Sequence, residues 1–347
     1  MNKPALPQVG VVIANYNNAS YVEQAIRSVA AQSFVHFSAI IVDNCSTDLS
    51  DAAIENTLRE LRDARFQYIK NDCNRGQAGA IRTGLAHMLD ASFICILDSD
   101  DYLYEDFIAR HIEAHLNAGF PVALSYCDSH IVNGAGRLLA GTAWWFDAPA
   151  GPDCCRRIDS IQFPQLICQS EEMHFPKTGA LRLNATWAPD QSSNSMSSMM
   201  LRRPFIDLVL TPTDEELKLY VDYYFSTLAA LLTGTVALAD ALYAYRMHGA
   251  NKHSNETVVG GRYNSSANPW PPIQRSIWGL VLRTLEDTSG RMEKAFGLHK
   301  VEQVHTQEVS NESAVVNRKR KQSCWTPCVR SPVVVDAGPC PCGRGDL

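Results

Sequence analysis

Short apolar runs alternate with helical patterns through the first 127 residues, and this alternation constrains the fold more than any other feature of the sequence. The runs are apolar over most of their length, as in strands that are buried on both faces of a sheet. Helical segments between consecutive runs give repeated β-α-β units, which predict a parallel or mixed sheet between layers of helices. The predicted strands cover residues 9–14, 37–42, 66–69, 93–97 and 122–126.

Helical segments lie between these strands at regular spacing. A capping-box pattern from Ser20 to Glu23 predicts the start of the first helix. Parallel strands present their carboxyl ends at one edge of a sheet, so Asn15, Asp43 and Asp98, which lie next to strand ends, are predicted to share one crevice. The predicted helices cover residues 21–31, 51–61, 77–89 and 105–116.

The regular alternation ends after residue 127. Residues 128–190 are rich in Trp, Pro and Cys and predict a loop-dominated insertion, with a hairpin turn at Asn133-Gly134. A hairpin-like pair is expected around Val236 and Tyr243. The remaining predicted elements are a strand at 197–201, helices at 214–232 and 273–286, and a weakly ordered tail at 291–347.

Acidic residues outnumber basic ones, with 37 Asp and Glu against 31 Lys and Arg and a formal net charge of −6. A net-acidic surface binds polyanions poorly, which argues against nucleic acid as the main partner. Residues 1–8 lack the apolar core of a secretory signal, and the most apolar stretch, 227–243, is shorter than the ~20 residues that span a bilayer. We therefore expect a cytoplasmic protein with, at most, peripheral contact at the inner face of the cell membrane.

The chain has 11 cysteines, and without a secretion signal they are expected to be reduced thiols. Those of the tail have irregular spacing and no nearby His, which favours an unstructured end over a zinc site. These tail cysteines are Cys324, Cys328, Cys340 and Cys342.

A cluster of acids follows the fourth predicted strand, in the sequence Asp98-Ser99-Asp100-Asp101. Three carboxylates within four residues raise one another's pKa unless a cation lies between them. Oxygen ligands at this density suit Mg²⁺ or Mn²⁺. The alternative is that Asp100 or Asp101 caps the helix that starts near Tyr104, which accounts for only one of the acids.

The other strand ends carry groups suited to a nucleotide. Tyr16 offers a flat face to a nucleobase, Asn15 or Asn17 offers an amide, and Asp43 can accept from a base imide N–H. Arg82 lies in the first turns of a Gly-rich helix start, where a diphosphate would be stabilised. Each feature also has an ordinary alternative: a turn, a helix cap or a solvated arginine.

Four of these segments in order resemble glycosyltransferase family 2 over about residues 9–250. They are Val-Val-Ile-x-x-Tyr-Asn at 11–17, Ile-Val-Asp-x-x-Ser-x-Asp at 41–48, Asn-x-Gly at 74–76 and Leu-Asp-Ser-Asp-Asp at 97–101. The resemblance implies a GT-A fold, an α/β fold whose Rossmann-like mixed sheet is flanked by helices. It divides the chain into a GT-A domain at 7–255 (7–127 nucleotide-sugar-binding, 128–255 acceptor-side), a helical extension at 256–290 and the tail at 291–347.

The resemblance also implies an inverting enzyme of polysaccharide biosynthesis that uses a nucleotide-diphosphate sugar, most often a UDP-sugar, and Mn²⁺ or Mg²⁺. The implied acceptor is a hydroxyl of a saccharide or a lipid-linked molecule. By position, the implied donor-binding residues are Ala14, Tyr16, Asn17, Asp43, Arg82, Asp98 and Ser99. The implied metal ligands are Asp98, Asp100 and His248, the general base is Asp222, and the acceptor-side residues are Arg202, Arg203 and Trp187.

Chemistry explains why these groups belong together. A departing diphosphate needs its charge neutralised, and the acceptor hydroxyl must lose a proton to a carboxylate on the opposite side of the sugar. Without the resemblance, Asp222 is equally a surface carboxylate of a helix and His248 an ordinary histidine at a strand end. Two alternatives stay open: a phosphatase of the haloacid dehalogenase type with Asp98 as nucleophile, and a nucleotide-sugar-binding protein without turnover.

Overall fold

The computed structural model describes residues 5–118, 122–140, 155–158, 181–184, 195–251 and 270–296. All of them lie in the first of two compact units of the chain, Met1–Val301. The strands are β1 (Val9–Asn15), β2 (Phe37–Asp43), β3 (Phe66–Lys70), β4 (Phe93–Asp98), β5 (Tyr102–Leu103), β6 (Leu124–Asn133), β7 (Leu138–Ala140), β8 (Cys155–Ile158), β9 (Leu181–Asn184), β10 (Met199–Arg202) and β11 (Thr235–Met247). The helices are α1 (Val22–Ala30), α2 (Ser50–Leu61), α3 (Gly76–Leu85), α4 (Phe107–Asn117), α5 (Arg203–Val209), α6 (Val221–Leu232), α7 (Trp270–Asp287) and α8 (Ser289–Phe296).

Within the described residues, these strands form one mixed sheet. Its main path runs β3-β2-β1-β4-β10-β6-β11-β9-β8, while β5 pairs with β11 and β7 with β6. Strands β1 to β4 pair in parallel, whereas β10 runs antiparallel to β4 and β6. The sheet flanked by helices confirms the predicted α/β fold of GT-A type.

The apolar runs become the buried strands because helices cover the sheet. In α1, Val22, Ala25, Ile26 and Val29 are buried, which is the i, i+3, i+4, i+7 stripe of a helix with one face on the core. The polar face carries Arg27, whose side chain is exposed. Side chains of the central strands are accordingly almost inaccessible to solvent, as in a sheet covered on both faces.

The strand register confirms that the polar strand ends meet at one edge of the sheet. Asn15 is paired with Asp43 across β1 and β2, and Ala14 with Asp98 across β1 and β4. Because all three strands are parallel, their carboxyl ends open on the same crevice. The crevice predicted from the sequence is therefore present.

Several helix and strand boundaries predicted from the sequence differ from those in the structure. The capping box is absent, because Glu23 pairs with Arg27 at 2.8 Å and no side chain caps α1. The helix predicted from 214 begins only at Val221, because Tyr220 has a left-handed φ of 65° that a helix cannot continue through. The hairpin-like pair around Val236 and Tyr243 is a single strand, β11, which runs parallel to β6 with register shifts near Ala241.

The described parts of residues 128–255 hold more strands than the sequence indicated. The hairpin at Asn133-Gly134 is confirmed by antiparallel β6 and β7, and two further strands of the insertion, β8 and β9, pair with each other and, through β9, with β11. The helical extension contains α7, and α8 continues past the predicted start of the tail at 291. Trp187, residues 297–347 and the four tail cysteines lie outside the described residues. Among the helices that the structure describes, none has the length and apolarity to cross a bilayer.

Candidate active site

Asp98 lies at the carboxyl end of β4, partly buried. Its Oδ1 accepts a hydrogen bond from Gln77 Nε2 at 3.0 Å, and its backbone N–H donates to Ser197 Oγ at 3.1 Å. Burial, and then the charges of Asp100 and Asp222, raise the pKa of Asp98 to about 7. A cation bound at this carboxylate would lower that pKa again, because it favours the charged form.

Asp101 belongs to the framework of the site. Its side chain is only 2% exposed, and its Oδ1 accepts a hydrogen bond from the backbone N–H of Arg246 at 2.9 Å. Burial, with the neighbouring charges of Asp100 and Asp98, raises its pKa well above the ordinary value. The third acid of the cluster therefore joins β4 to β11.

His248 follows β11 and faces the acids. Its Nε2 lies 3.0 Å from Asp100 Oδ2, and its ring packs on Tyr21 with the ring centroids 4.8 Å apart. Its backbone N–H donates to Asn251 Oδ1 at 2.7 Å, and Asn251 Nδ2 donates to the carbonyl of Arg246 at 2.7 Å. The structure thus brings the predicted metal ligands Asp100 and His248 into direct contact.

The donor atoms of this group suit a divalent cation, since Mn²⁺ and Mg²⁺ take carboxylate oxygens and Mn²⁺ also accepts imidazole nitrogen. Among the described residues, however, no three His, Cys, Asp or Glu side chains converge at metal-binding geometry. The chemistry of Asp98, Asp100 and His248 therefore fits the ion, and binding it requires their side chains to turn toward a common point.

Arg246 holds the acid loop, the residues 98–101 at and after the end of β4. The sequence analysis assigned Arg246 no role. It is 2% exposed; its Nε donates to the carbonyl of Asp100 at 2.6 Å, Nη1 to the carbonyl of Gly134 at 3.1 Å and Nη2 to Gln24 Oε1 at 2.6 Å. Its guanidinium carbon lies 4.8 and 5.3 Å from the ring centroids of Tyr21 and Tyr102. The signal that could have found it is its place two residues before His248 in Tyr-Arg-x-His.

The ends of β1 and β2 form the nucleobase side of the crevice. Asn15 Nδ2 donates to Asp43 Oδ1 at 2.8 Å, and the backbone N–H of Ser46 donates to Asp43 Oδ2 at 3.1 Å. Asp43 is buried, and both of its carboxylate oxygens accept a hydrogen bond. Asn15 is 1% exposed, and its Oδ1 has no hydrogen-bond partner within the described residues. A buried acceptor without a hydrogen bond lowers the stability of the folded protein unless a donor, such as one from a ligand, reaches it.

The remaining predicted donor residues lie close by. Tyr16 is 45% exposed and Asn17, also exposed, has a left-handed φ of 56°, with its Oδ1 accepting from the backbone N–H of Thr47 at 2.8 Å. Ser99 donates its backbone N–H to the carbonyl of Ala14 at 3.1 Å, which ties β4 to β1. Tyr16 therefore leaves a ring face open beside this crevice.

Asp222 lies in the first turn of α6. Burial raises its pKa to about 6, against the opposing effect of the Tyr223 backbone N–H, which donates to its Oδ1 at 2.7 Å. Its charge in turn contributes to the raised pKa of Asp98, so the two carboxylates lie within electrostatic reach of each other. Asp222 is therefore a carboxylate outside both the acid cluster of β4 and the nucleobase side of the crevice.

Residues 10–160 match the family model described as Glycosyl transferase family 2. This match covers β1 to β4, α1 to α4 and all three acids of the cluster. Residues 10–160 therefore form a family 2 glycosyltransferase domain. This match favours a glycosyltransferase over a phosphatase of the haloacid dehalogenase type.

Known proteins similar to this chain include a succinoglycan biosynthesis protein and a glycosyltransferase. It is 36% identical over 142 residues to the succinoglycan biosynthesis protein ExoO of Rhizobium meliloti, covering 40% of this chain and 39% of that protein. It is 25% identical over 248 residues to an uncharacterized glycosyltransferase of Nostoc, covering 71% of this chain and 66% of that protein. The chain thus spans less than two thirds of the length of both relatives.

A solved structure shares the fold of this chain. TarS residues 1–349 of S. aureus, crystallised with UDP-GlcNAc, superpose with a TM-score of 0.52 at 17% identity, covering 85% of this chain and 72% of that one. At this identity the likeness extends to the fold alone. It agrees with the mixed sheet described above.

Three of the predicted site residues, Arg82, Arg202 and Arg203, make their described contacts away from the acids of β4. Arg82 does not point at the acids, because its guanidinium donates to Asp214 Oδ1 at 2.9 Å and to carbonyls of residues 210 and 212. Arg202 is paired with Phe93, at the opposite end of β4 from Asp98, and Arg203 donates to the carbonyl of Met88 at 2.8 Å. Strand β10 is antiparallel to β4, so the basic pair at its carboxyl end lies away from the crevice.

Proposed function

We propose that this protein transfers a sugar from a nucleotide-diphosphate sugar, specifically a UDP-sugar, to a hydroxyl of a saccharide or lipid-linked acceptor with inversion at the anomeric carbon. The observation that carries the proposal is the contact of His248 with Asp100 beside Asp98 at the carboxyl end of β4, together with the charge of Asp222, which acts on Asp98. The family match and the glycosyltransferase relatives support the reaction class. The name of ExoO, a succinoglycan biosynthesis protein, supports a saccharide acceptor.

Asp98, Asp100 and His248 would hold the divalent cation in this proposal. A bound Mn²⁺ or Mg²⁺ supplies positive charge that offsets the charge of a diphosphate. The pKa of Asp98 is raised because burial and the charge of Asp100 both oppose ionisation of its carboxyl group. A cation bound between these acids would offset their mutual repulsion, so the site favours cation binding. Arg246 keeps Asp100 in place by holding its carbonyl.

Asp222 would act as the general base. A base works best when its pKa lies near the working pH, because it is then both ionised and able to take a proton. Burial raises the pKa of Asp222 toward that range. A single displacement by the deprotonated acceptor hydroxyl inverts the anomeric carbon, and no second carboxylate nucleophile is required.

Asn15, Asp43 and Tyr16 would receive the nucleobase. The Oδ1 of Asn15 is a buried acceptor without a partner in the described part of the chain, and a base imide N–H is a donor of the required kind. Tyr16 offers its ring for stacking.

The predicted cytoplasmic localisation and peripheral membrane contact remain predictions.

Thermal unfolding with a panel of UDP-, GDP- and dTDP-sugars, with and without Mn²⁺, tests the proposal. A ligand at 100 times its Kd stabilises the folded state by about 2.7 kcal/mol, so a UDP-sugar with Mn²⁺ should raise the melting temperature by several degrees. Asp98→Asn should remove the Mn²⁺-dependent part of the shift. Stabilisation without any release of UDP would favour a binding protein without turnover, and no shift with any nucleotide sugar would refute the proposal.

The rate of transfer should depend on pH through Asp222. Its pKa is about 6, and only the ionised form accepts a proton, so kcat should rise as pH increases through about 6 and level off above pH 7. Initial rates at saturating donor and Mn²⁺ between pH 4.5 and 8 measure this dependence. A kcat that is constant across this range would contradict the assignment of Asp222.

A further inference from the structure

Three charged side chains join the segment before α6 to α3: Asp214 of the segment, Arg75 at the N-cap of α3 and Arg82 in its last turn. Asp214 Oδ2 lies 2.6 Å from Arg75 Nη2, and Asp214 Oδ1 lies 2.9 Å from Arg82 Nε. Arg82 also donates through Nη1 to the carbonyl of Leu210 at 3.1 Å and through Nη2 to the carbonyl of Pro212. The side chain of Asp214 is 18% exposed, so water screens these ion pairs less than it screens surface pairs.

A backbone contact closes the same junction. The backbone N–H of Gln77 donates to the carbonyl of Lys218 at 2.8 Å. Gly76 has a left-handed φ of 70°, and a Cβ added there would lie 2.8 Å from Lys218 Cα, so only glycine permits this approach. The side chain of Gln77 donates to Asp98 Oδ1 at 3.0 Å, which links the junction directly to the acids of β4.

These contacts hold the segment that leads into α6. Between the end of α5 at Val209 and the start of α6 at Val221, the chain pairs with no strand. The ion pairs of Asp214 and the Lys218 carbonyl are thus the described contacts that fix this segment on α3. Asp222 comes four residues after Lys218, in the first turn of the helix that the segment leads into.

We propose that Asp214 is a positioning residue: its clamp on Arg75 and Arg82 sets the distance between Asp222 and the donor side of the crevice. Arg82 then acts through this clamp and makes no contact with the diphosphate. The inference rests on the proposed role of Asp222 as general base. A misplacement of about 1 Å between reacting groups costs on the order of 100-fold in rate, so loss of the clamp should be visible in kcat.

The test compares Asp214→Asn, Arg82→Met and the double variant in the full chain. UDP release from UDP-glucose, UDP-galactose or UDP-N-acetylglucosamine gives kcat, and calorimetry with UDP and Mn²⁺ gives the donor-site Kd. Each single variant should lower kcat about 10- to 100-fold with the Kd for UDP within about twofold, and the double variant should be no slower than the slower single one. Multiplicative effects, or a Kd for UDP weakened tenfold in Arg82→Met, would overturn the inference.

Two further variants distinguish a failure of the proposed function from a failure of the inference about Asp214. Asp207→Asn removes a comparable carboxylate from an ion pair with Arg203 on α5, at an exposed site away from the crevice, and should leave kcat unchanged. If Asp222→Asn retains wild-type transfer, the proposed function fails at the base. If Asp222→Asn is inactive while Asp214→Asn transfers at the wild-type rate, the clamp inference alone is wrong.

Discussion

Replacement of Asp222 by Asn is expected to lower the rate of sugar transfer about 1,000-fold, within the range of 10²- to 10⁴-fold typical of a lost general base. Asparagine keeps the size of the side chain but cannot accept the acceptor's proton. Binding of UDP should stay within about twofold of wild type, because the proposed donor contacts come from β1, β2 and β4. Single-turnover transfer and calorimetry with UDP and Mn²⁺ measure the two quantities.

Glu215→Gln is the matched control for this experiment. Glu215 is a carboxylate seven residues earlier, 75% exposed and paired only with Lys218 among the described residues. Its replacement changes the net charge by the same amount and should leave transfer unaffected. Asp222→Asn with more than a tenth of the wild-type rate, or Glu215→Gln with a comparable loss, would show that the base lies elsewhere.

Arg246→Met is expected to destabilise the folded protein by about 5 kcal/mol and to abolish measurable transfer. Hydrogen bonds to a charged donor contribute about 1.5–3 kcal/mol each, and the variant leaves the oxygens of Asp100, Gly134 and Gln24 without this donor. Methionine preserves contact with the rings of Tyr21 and Tyr102, which limits the loss. Urea denaturation measures the stability, and UDP release measures the transfer.

Arg27→Met provides the comparison for a surface arginine. Arg27 pairs with Glu23 and Glu60, and its side chain is 40% exposed, so its ion pairs are screened by water. Its loss should leave the urea midpoint near that of wild type. Equal destabilisation by the two variants would contradict the role of Arg246 as the buried support of the acid loop.

The fold of the first 127 residues was predictable because its determinants are local. Continuous apolar runs such as the one in β4 indicate strands buried on both faces, and the parallel register then places Asn15, Asp43 and Asp98 at one edge. Element ends were less predictable. The left-handed backbone at Tyr220, which delays α6, leaves no signal in the residue type, since tyrosine rarely adopts that conformation.

The candidate site was predictable for the acids and for His248, and less so for the arginines. Arg82 is a reasonable anion ligand from its position near a helix start, yet its partner Asp214 lies 132 residues further along the chain. Arg246 had no assigned role because the groups it holds come from three different parts of the chain. Long-range partners of this kind are invisible to local patterns.

The sequence by itself determined the α/β architecture, the acid cluster after β4 and the family to which the domain belongs. Only the tertiary structure decided which charged side chains face the crevice, which acid is structural and how α6 is held. The physical reason is that hydrophobic periodicity follows from burial over a few neighbouring residues. The partner of a charged group depends instead on strand order and direction, such as the antiparallel β10 that carries Arg202 to the far end of the sheet.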